Sequence, residues 1–291
     1  MSVITESANS ATWDIDLKSG LEIADIINEE DKKVALAVEK ALPQIGEAID
    51  KISERLRAGG RMAYFGSGTS GRIGILDASE MPPTYGVSLD LIQGYISGGE
   101  KAIRFSVENA EDSEELAEED LADFNPQAND VVVVISASGG SRYGLHILQS
   151  AGERGILTIA VTSNPEAKFK DFCDIFICTV VGPEAITGSS RMKSGTAQKM
   201  VLNMLSTGAM IRLGKTYHNY MVDLRINNIK LHKRAIDFVC EITGTDEKTA
   251  AETIDKCNNV KTACVMIKRN CSKEEAEKLL SRNEGILRKI I

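Results

Sequence analysis

Histidine is nearly absent from this chain: three in 291 residues, at positions 146, 218 and 232, and none stands at metal-ligand spacing with Cys, Asp or Glu. A transition-metal site needs several such donors close together, so no metal is expected and each histidine reads as a surface or packing residue. The six cysteines, at 173, 178, 240, 257, 264 and 271, contain no C-x-x-C pair, and they read as reduced, mostly packed thiols. Positive charge is in deficit, with 34 Lys plus Arg against 42 Asp plus Glu and a net charge of −8, which disfavours nucleic acid and anionic membrane surfaces as partners. No uninterrupted apolar run approaches the roughly 18 residues of a membrane span. The polar start, Met1-Ser-Val-Ile-Thr-Glu6, lacks the basic-then-apolar order of a secretory signal. These absences lead to the expectation of a cytoplasmic protein without metal or membrane partner, and a hydrophobic content of 43% predicts a globular fold of one or two domains.

What is present is organised by period. From Leu21 to Arg57 apolar residues recur at helical spacing, as in Val34, Leu36, Val38, Leu42, Ile45, Ile49, Ile52 and Leu56, with Pro43 marking a break. Between Arg61 and Val181, short apolar runs near 62–65, 89–96, 131–135, 157–162 and 175–180 alternate with helical segments. That alternation predicts an α/β fold with a parallel five-stranded sheet flanked by helices. A nearly all-apolar helix is expected from about Gly195 to Leu213, and another from about Tyr217 to Ile242, capped by Gly244. Beyond Thr245, a capping box at Ser272–Glu275 belongs to a small C-terminal helical module. The expected divisions are an N-terminal helical lead-in (1–53), the α/β domain (54–217), a connecting helix (218–244) and the C-terminal module (245–291).

Gly66 to Pro83, GSGTSGRIGILDASEMPP, carries the strongest chemical signal. Gly66, Gly68 and Gly71 lie where a strand turns into a helix, so backbone N–H groups can face an anion, and Ser67, Thr69 and Ser70 add hydroxyl donors. The glycines satisfy the dinucleotide pattern G-x-G-x-x-G, but the acidic residue which that pattern requires at the end of the next strand is missing. Three hydroxyls in one turn suit a compact phosphomonoester, while a dinucleotide site and a plain structural turn stay open as alternatives. A second hydroxyl-rich loop, Ser136-Ala-Ser-Gly-Gly-Ser141, follows the apolar strand Val131–Ile135 in the same geometry. Together the two loops can hold a phosphate and the hydroxyls of a sugar, though serines that merely cap helices are the plainer reading of the second. Two carboxylates can supply an acid and a base. Glu111 stands at the front of an acidic helical stretch, and Glu80 precedes Pro82-Pro83, which are expected to end its helix beside the first loop. Arg191 and Lys193 read equally well as ligands of a substrate carboxylate and as parts of a domain junction.

The segments GSGTSGRIGILDASEMPPTYGV, VENAEDS, GPEAITGSSRMKSGTAQKMVLNMLSTGAMIRLGK and NYMVDL resemble the N-acetylmuramic acid 6-phosphate etherase family, over nearly the whole chain. The resemblance implies a sugar isomerase (SIS) domain, a cytoplasmic homodimer without metal or redox cofactor, and a role in N-acetylmuramate catabolism and peptidoglycan recycling. It implies cleavage of the lactyl ether of the sugar phosphate to N-acetylglucosamine 6-phosphate and D-lactate, by elimination and then hydration. It further implies Glu80 as the acid that protonates the departing lactate oxygen and Glu111 as the C2 base. Ser67, Thr69, Ser70, Ser136, Ser138 and Glu108 would bind the small-molecule sugar phosphate. The second loop departs from the family's Ser-Gly-Arg-Thr-Pro-Tyr, reading Ser138-Gly-Gly-Ser-Arg-Tyr143, which leaves the phosphate contacts open. A sugar-phosphate isomerase, or a non-catalytic sensor like the related glucokinase regulatory protein, is the rival expectation.

Overall fold

The computed structural model describes residues 4–291. In chain order the elements are α1 (Gly20–Glu39), α2 (Leu42–Arg57), β1 (Met62–Gly66), α3 (Gly68–Tyr85), β2 (Ile92–Ile96), α4 (Gly99–Arg104), α5 (Glu114–Phe124), β3 (Val131–Ile135), α6 (Arg142–Glu153), β4 (Leu157–Thr162), β5 (Ile175–Cys178), α7 (Lys193–Arg212), β6 (Thr216–Tyr217), β7 (Tyr220–Met221), α8 (Ile229–Thr243), α9 (Glu247–Cys257), α10 (Val260–Arg269) and α11 (Lys273–Arg282). They form two compact units, one reaching Ser79 and resuming over Asp90–Ser206, the other comprising Glu80–Leu89 and Thr207–Ile291.

The first unit is the expected α/β fold. Its five strands are ordered β2-β1-β3-β4-β5, and every pairing among them is parallel. The central strands are buried on both faces, which is why β3 reads Val131-Val-Val-Val-Ile135 without alternation. Phe65, Phe124, Val132, Val134, Tyr143, Ile147 and Phe169 pack into one cluster on one face of the sheet. Pairing runs out from β1 to β2 on one side and returns to β3 on the other. The chain order therefore reverses between β1 and β3, and open parallel sheets bind ligands in the crevice beyond the carboxyl ends at such a reversal. Gly66 pairs with Ile135 at the last register position, so the two hydroxyl-rich loops leave adjacent strand ends.

Several local expectations need correction. The second strand starts at Ile92, because Leu89–Leu91 form a turn. Leu36, although in helical register, is 61% exposed. Pro43 does break the run, but it does so by opening α2, in whose first turn it sits. The helix expected from Tyr217 begins only at Ile229, capped by Asn228. Ahead of it β6 and β7 make a short antiparallel hairpin, turned at His218 with φ 50°. Pro82 and Pro83 do not end their helix either, since α3 continues through both to Tyr85. Each proline removes one ladder bond, so the carbonyls of Ala78 and Ser79 lose their usual donors.

The second unit builds a core of its own from Val222, Leu224, Ala235, Val239, Ile254, Val260, Val265 and Leu287. Its helices are cut short by local signals. Asp246 and Asn259 cap the starts of α9 and α10, while Asn258 and Asn270 end them in left-handed conformations. The capping box at Ser272 and Glu275 forms as expected, as does the Gly244 cap at φ 74°. Asp223 receives both Lys261, at 2.5 Å, and Lys215, at 3.2 Å.

Candidate functional site

Both loops are shaped by glycines that admit close backbone approach. A Cβ on Gly66 would stand 2.8 Å from the Gly71 nitrogen, and one on Gly71 would meet the Gly66 carbonyl oxygen at 2.6 Å, so the strand end and the first turn of α3 can touch only without side chains. In the second loop Gly139 has φ +65°, and a Cβ there would lie 2.3 Å from that of Ala167. The loop is fixed from beneath: Thr162 Oγ1 donates to the Ala137 carbonyl at 3.0 Å, and Asn164 Nδ2 donates to that of Ser138 at 3.0 Å.

Beyond these strand ends lies a polar cavity of about 340 Å³. It is lined by Ser67, Gly68, Thr69 and Ser70 of the first loop, Ser136, Ala137, Ser138 and Ser141 of the second, Glu111, Gly188, Ser190, Thr5 and Glu6. α3 begins at Gly68 in the wall of this space, and a helix start attracts an anion. The hydroxyls are oriented by neighbours. Ser97 Oγ donates to Ser67 Oγ at 2.8 Å, and Ser70 Oγ donates to Gln198 Oε1 at 3.0 Å. Ser136 Oγ accepts from the Gly139 N–H at 3.1 Å and lies 3.4 Å from Ser138 Oγ. Ser141 caps α6 by accepting from the Gly144 N–H, so one serine of the second loop does the plainer capping work.

The structure thus brings Ser67, Thr69, Ser70, Ser136, Ser138 and Glu111 to one cavity. Glu111 sits in a short 3-10 turn, Ala110–Asp112, that follows left-handed Asn109. It also borders an adjoining cavity of about 250 Å³, which Ser67 and Gly68 share and where Glu108 is found. Arg72 holds the far wall of that second cavity by donating to the carbonyls of Ala102 and Ile103 at 2.7 and 2.8 Å. Glu80 is exposed and lines neither cavity. It lies inside α3, more than three turns beyond Gly68.

Lys193 is no surface ligand. It is 1% exposed, at the start of α7, and its ammonium meets Glu30 of α1 at 2.5 Å. Burial pushes the Glu30 carboxyl up, but hydrogen bonds from Lys193, Lys33 and Asn9 outweigh it and hold the group down at about 2. The wholly buried Glu184 accepts the backbone N–H groups of Lys193 at 2.8 Å and Ser194 at 2.9 Å, capping α7 with a carboxylate. This network fixes the segment that carries Gly188 and Ser190, while Arg191 is exposed. Burial pushes the Cys173 and Cys178 thiols up to about 11 and Cys264 up to about 12, so they are poor nucleophiles.

Sequence reasoning missed Thr5, Glu6, Gly188 and Ser190 as cavity residues. Ser190 stands beside Arg191 in the segment GPEAITGSSRMKSG that carries part of the family resemblance. Nothing near Thr5 or Glu6 in the sequence announces a role, because their contact with the cavity is made across the length of the chain.

Two hydroxyl-rich strand-to-helix loops thus sit at the reversal point of a parallel five-stranded sheet, in a region that family models match to SIS domains. Residues 44–151 match the N-terminal SIS domain of glucokinase regulatory protein, residues 101–208 the SIS domain, and residues 218–258 the C-terminal lid domain of glucokinase regulatory protein. The chain is 52% identical to an N-acetylmuramic acid 6-phosphate etherase of Clostridium beijerinckii, over 99% of this chain and 95% of that one. It is 50% identical to one of Glaesserella parasuis, over 97% and 93%. The chain therefore belongs to the N-acetylmuramic acid 6-phosphate etherase family. Among solved structures, a phosphoheptose isomerase of Neisseria gonorrhoeae superposes with a TM-score of 0.50 at 17% identity, covering 65% of this chain and 96% of that one, a likeness of fold.

Proposed function

We propose that this chain is a carbon–oxygen lyase that removes the D-lactyl group of N-acetylmuramic acid 6-phosphate, yielding N-acetylglucosamine 6-phosphate and D-lactate. The observation that carries the reading is 52% identity over 99% of the chain to a relative of that name. The polar cavity supports it independently, since helix-start N–H groups and five loop hydroxyls suit a 6-phosphate and sugar hydroxyls.

In the open-chain sugar the C2 hydrogen is acidic because the C1 aldehyde stabilises the carbanion. Glu111 takes that proton, the C3–O bond to lactate breaks as the C2–C3 double bond forms, and Glu80 protonates the departing lactate oxygen. Water then adds at C3 with Glu80 as base, and the proton returns to C2, so the atoms balance without a redox step. Glu111 is favoured as base by its place on the cavity rim, and Glu108 as a substrate-binding residue by its place in the adjoining space. Glu80 is exposed, and its delivery to the cavity of a second copy in a homodimer is part of this proposal. Exposed Trp13, Leu17 and Leu21 offer apolar surface for such an assembly. No described helix is long and apolar enough to cross a membrane. We place the enzyme in the cytoplasm, in cell-wall sugar recycling.

The test is direct. Purified protein given N-acetylmuramic acid 6-phosphate and no added metal is expected to release D-lactate, read by a lactate dehydrogenase couple. Folded protein that releases none overturns the reading.

A further inference from the structure

The first described residues of the chain reach the loop cavity and are fastened there. Asn9 Nδ2 donates to the Pro183 carbonyl at 3.2 Å, and Thr12 Oγ1 donates to that of Ala185 at 2.8 Å. The Asn9 side chain also hydrogen-bonds Glu30, the partner of buried Lys193. The segment is thus tied to the network that holds Gly188. At its tip, Thr5 and Glu6 both line the cavity.

Two details point to a ligand. Thr5 is 1% exposed, yet its hydroxyl has no hydrogen-bond partner among the described residues. Buried hydroxyls are nearly always paired, and this one belongs to a residue that lines a polar cavity. Glu6 Oε2 would lie 3.0 Å from a Cβ on Gly188, so the glycine, at φ +75°, leaves room for that carboxylate to rest on the loop. A carboxylate can only accept hydrogen bonds, and it repels a phosphate. Sugar hydroxyls are the groups that suit it, with the phosphate held away from it by the loop hydroxyls and helix-start N–H groups.

Resting on the reading of this cavity as a sugar-phosphate site, we infer that Thr5 and Glu6 are ligand-binding residues that orient the sugar. Thr5 donates its hydroxyl proton to a ligand oxygen, and Glu6 accepts from sugar O–H groups. The segment that bears them is a wall of the binding site.

The probes are N-acetylglucosamine 6-phosphate and inorganic phosphate, titrated calorimetrically into the wild-type protein and the variants Glu6→Ala and Thr5→Val. Glu6 is exposed and Thr5→Val keeps the side-chain shape, so both variants are expected to fold. For Glu6→Ala the dissociation constant of the sugar phosphate is expected to rise about tenfold or more, while that of inorganic phosphate does not rise. Thr5→Val is expected to weaken the sugar phosphate several-fold without lowering the unfolding midpoint. Sugar-phosphate binding within about twofold of wild type in both variants overturns the inference, as does an equal loss for inorganic phosphate in Glu6→Ala. Wild-type protein that binds neither probe removes the sugar-phosphate reading itself, and this inference with it.

Discussion

At the scale of single residues, the two proposed catalytic glutamates separate by experiment. Glu80→Gln is expected to exchange the C2 hydrogen with heavy water while lactate release falls by about 10²-fold to 10⁴-fold, because only the leaving-group acid is gone. Glu111→Gln is expected to lose the exchange as well, by a similar factor. Proton NMR of the substrate alongside the lactate assay reads both, and retention of exchange in Glu111→Gln would contradict its role as the base. A different carboxylate governs acid stability. The Glu30 carboxyl stands at about 2 when folded, against the 4.5 of an ordinary glutamate. A group depressed in this way contributes stability above about pH 4.5, and that contribution is lost as the pH falls toward 2. The expected loss is about 3 kcal/mol. Urea midpoints taken between pH 6 and pH 3 should fall, and Glu30→Gln should be weaker at pH 7, since it leaves Lys193 buried without its anion. A midpoint indifferent to both changes would show that the pair contributes nothing.

At the scale of elements, the legible parts were those whose cause is local. Val131–Ile135 reads as a buried parallel strand because nothing polar interrupts it, and the serines after it read as an anion-binding turn because strand, glycine and helix follow within a few residues. The same holds for Gly244 and for Ser272 with Glu275, where a cap is set by its own neighbours. What the sequence hid was settled by more distant packing. Pro82 and Pro83 stay inside α3, where Pro82 and Met81 are buried and hold the helix past its lost bonds. Around Tyr217 the periodicity continues the helical pattern of its flanks, yet two paired residues on each side of His218 form a hairpin. The role of Gly139 shows how strictly the second loop is built. Gly139→Ala places a methyl against Ala167 in a left-handed conformation, and it is expected to cost about 3 kcal/mol in a urea titration and to weaken sugar-phosphate binding. An unchanged urea midpoint would mean that the loop rearranges freely.

At the scale of the whole molecule, the sheet order explains why two loops 70 residues apart in sequence, at Gly66 and Ser136, serve one cavity: β1 and β3 are neighbours, and the reversal of chain order lies between them. The position of Glu80 raises a question that a mixed assembly answers. If each site takes Glu111 from one copy and Glu80 from the other, then co-expressed Glu80→Gln and Glu111→Gln chains form mixed dimers that each regain one intact site. Lactate release is then expected to recover to about a quarter of wild type from two nearly inactive parents. No recovery, with mixed dimers demonstrated by differential tags, would assign both glutamates to the same copy. Such tags need care in one respect. Thr5 and Glu6 stand in the wall of the cavity proposed for the sugar phosphate, so a peptide fused ahead of them is expected to disturb its binding. Apparent substrate constants measured with and without an N-terminal handle are then expected to differ.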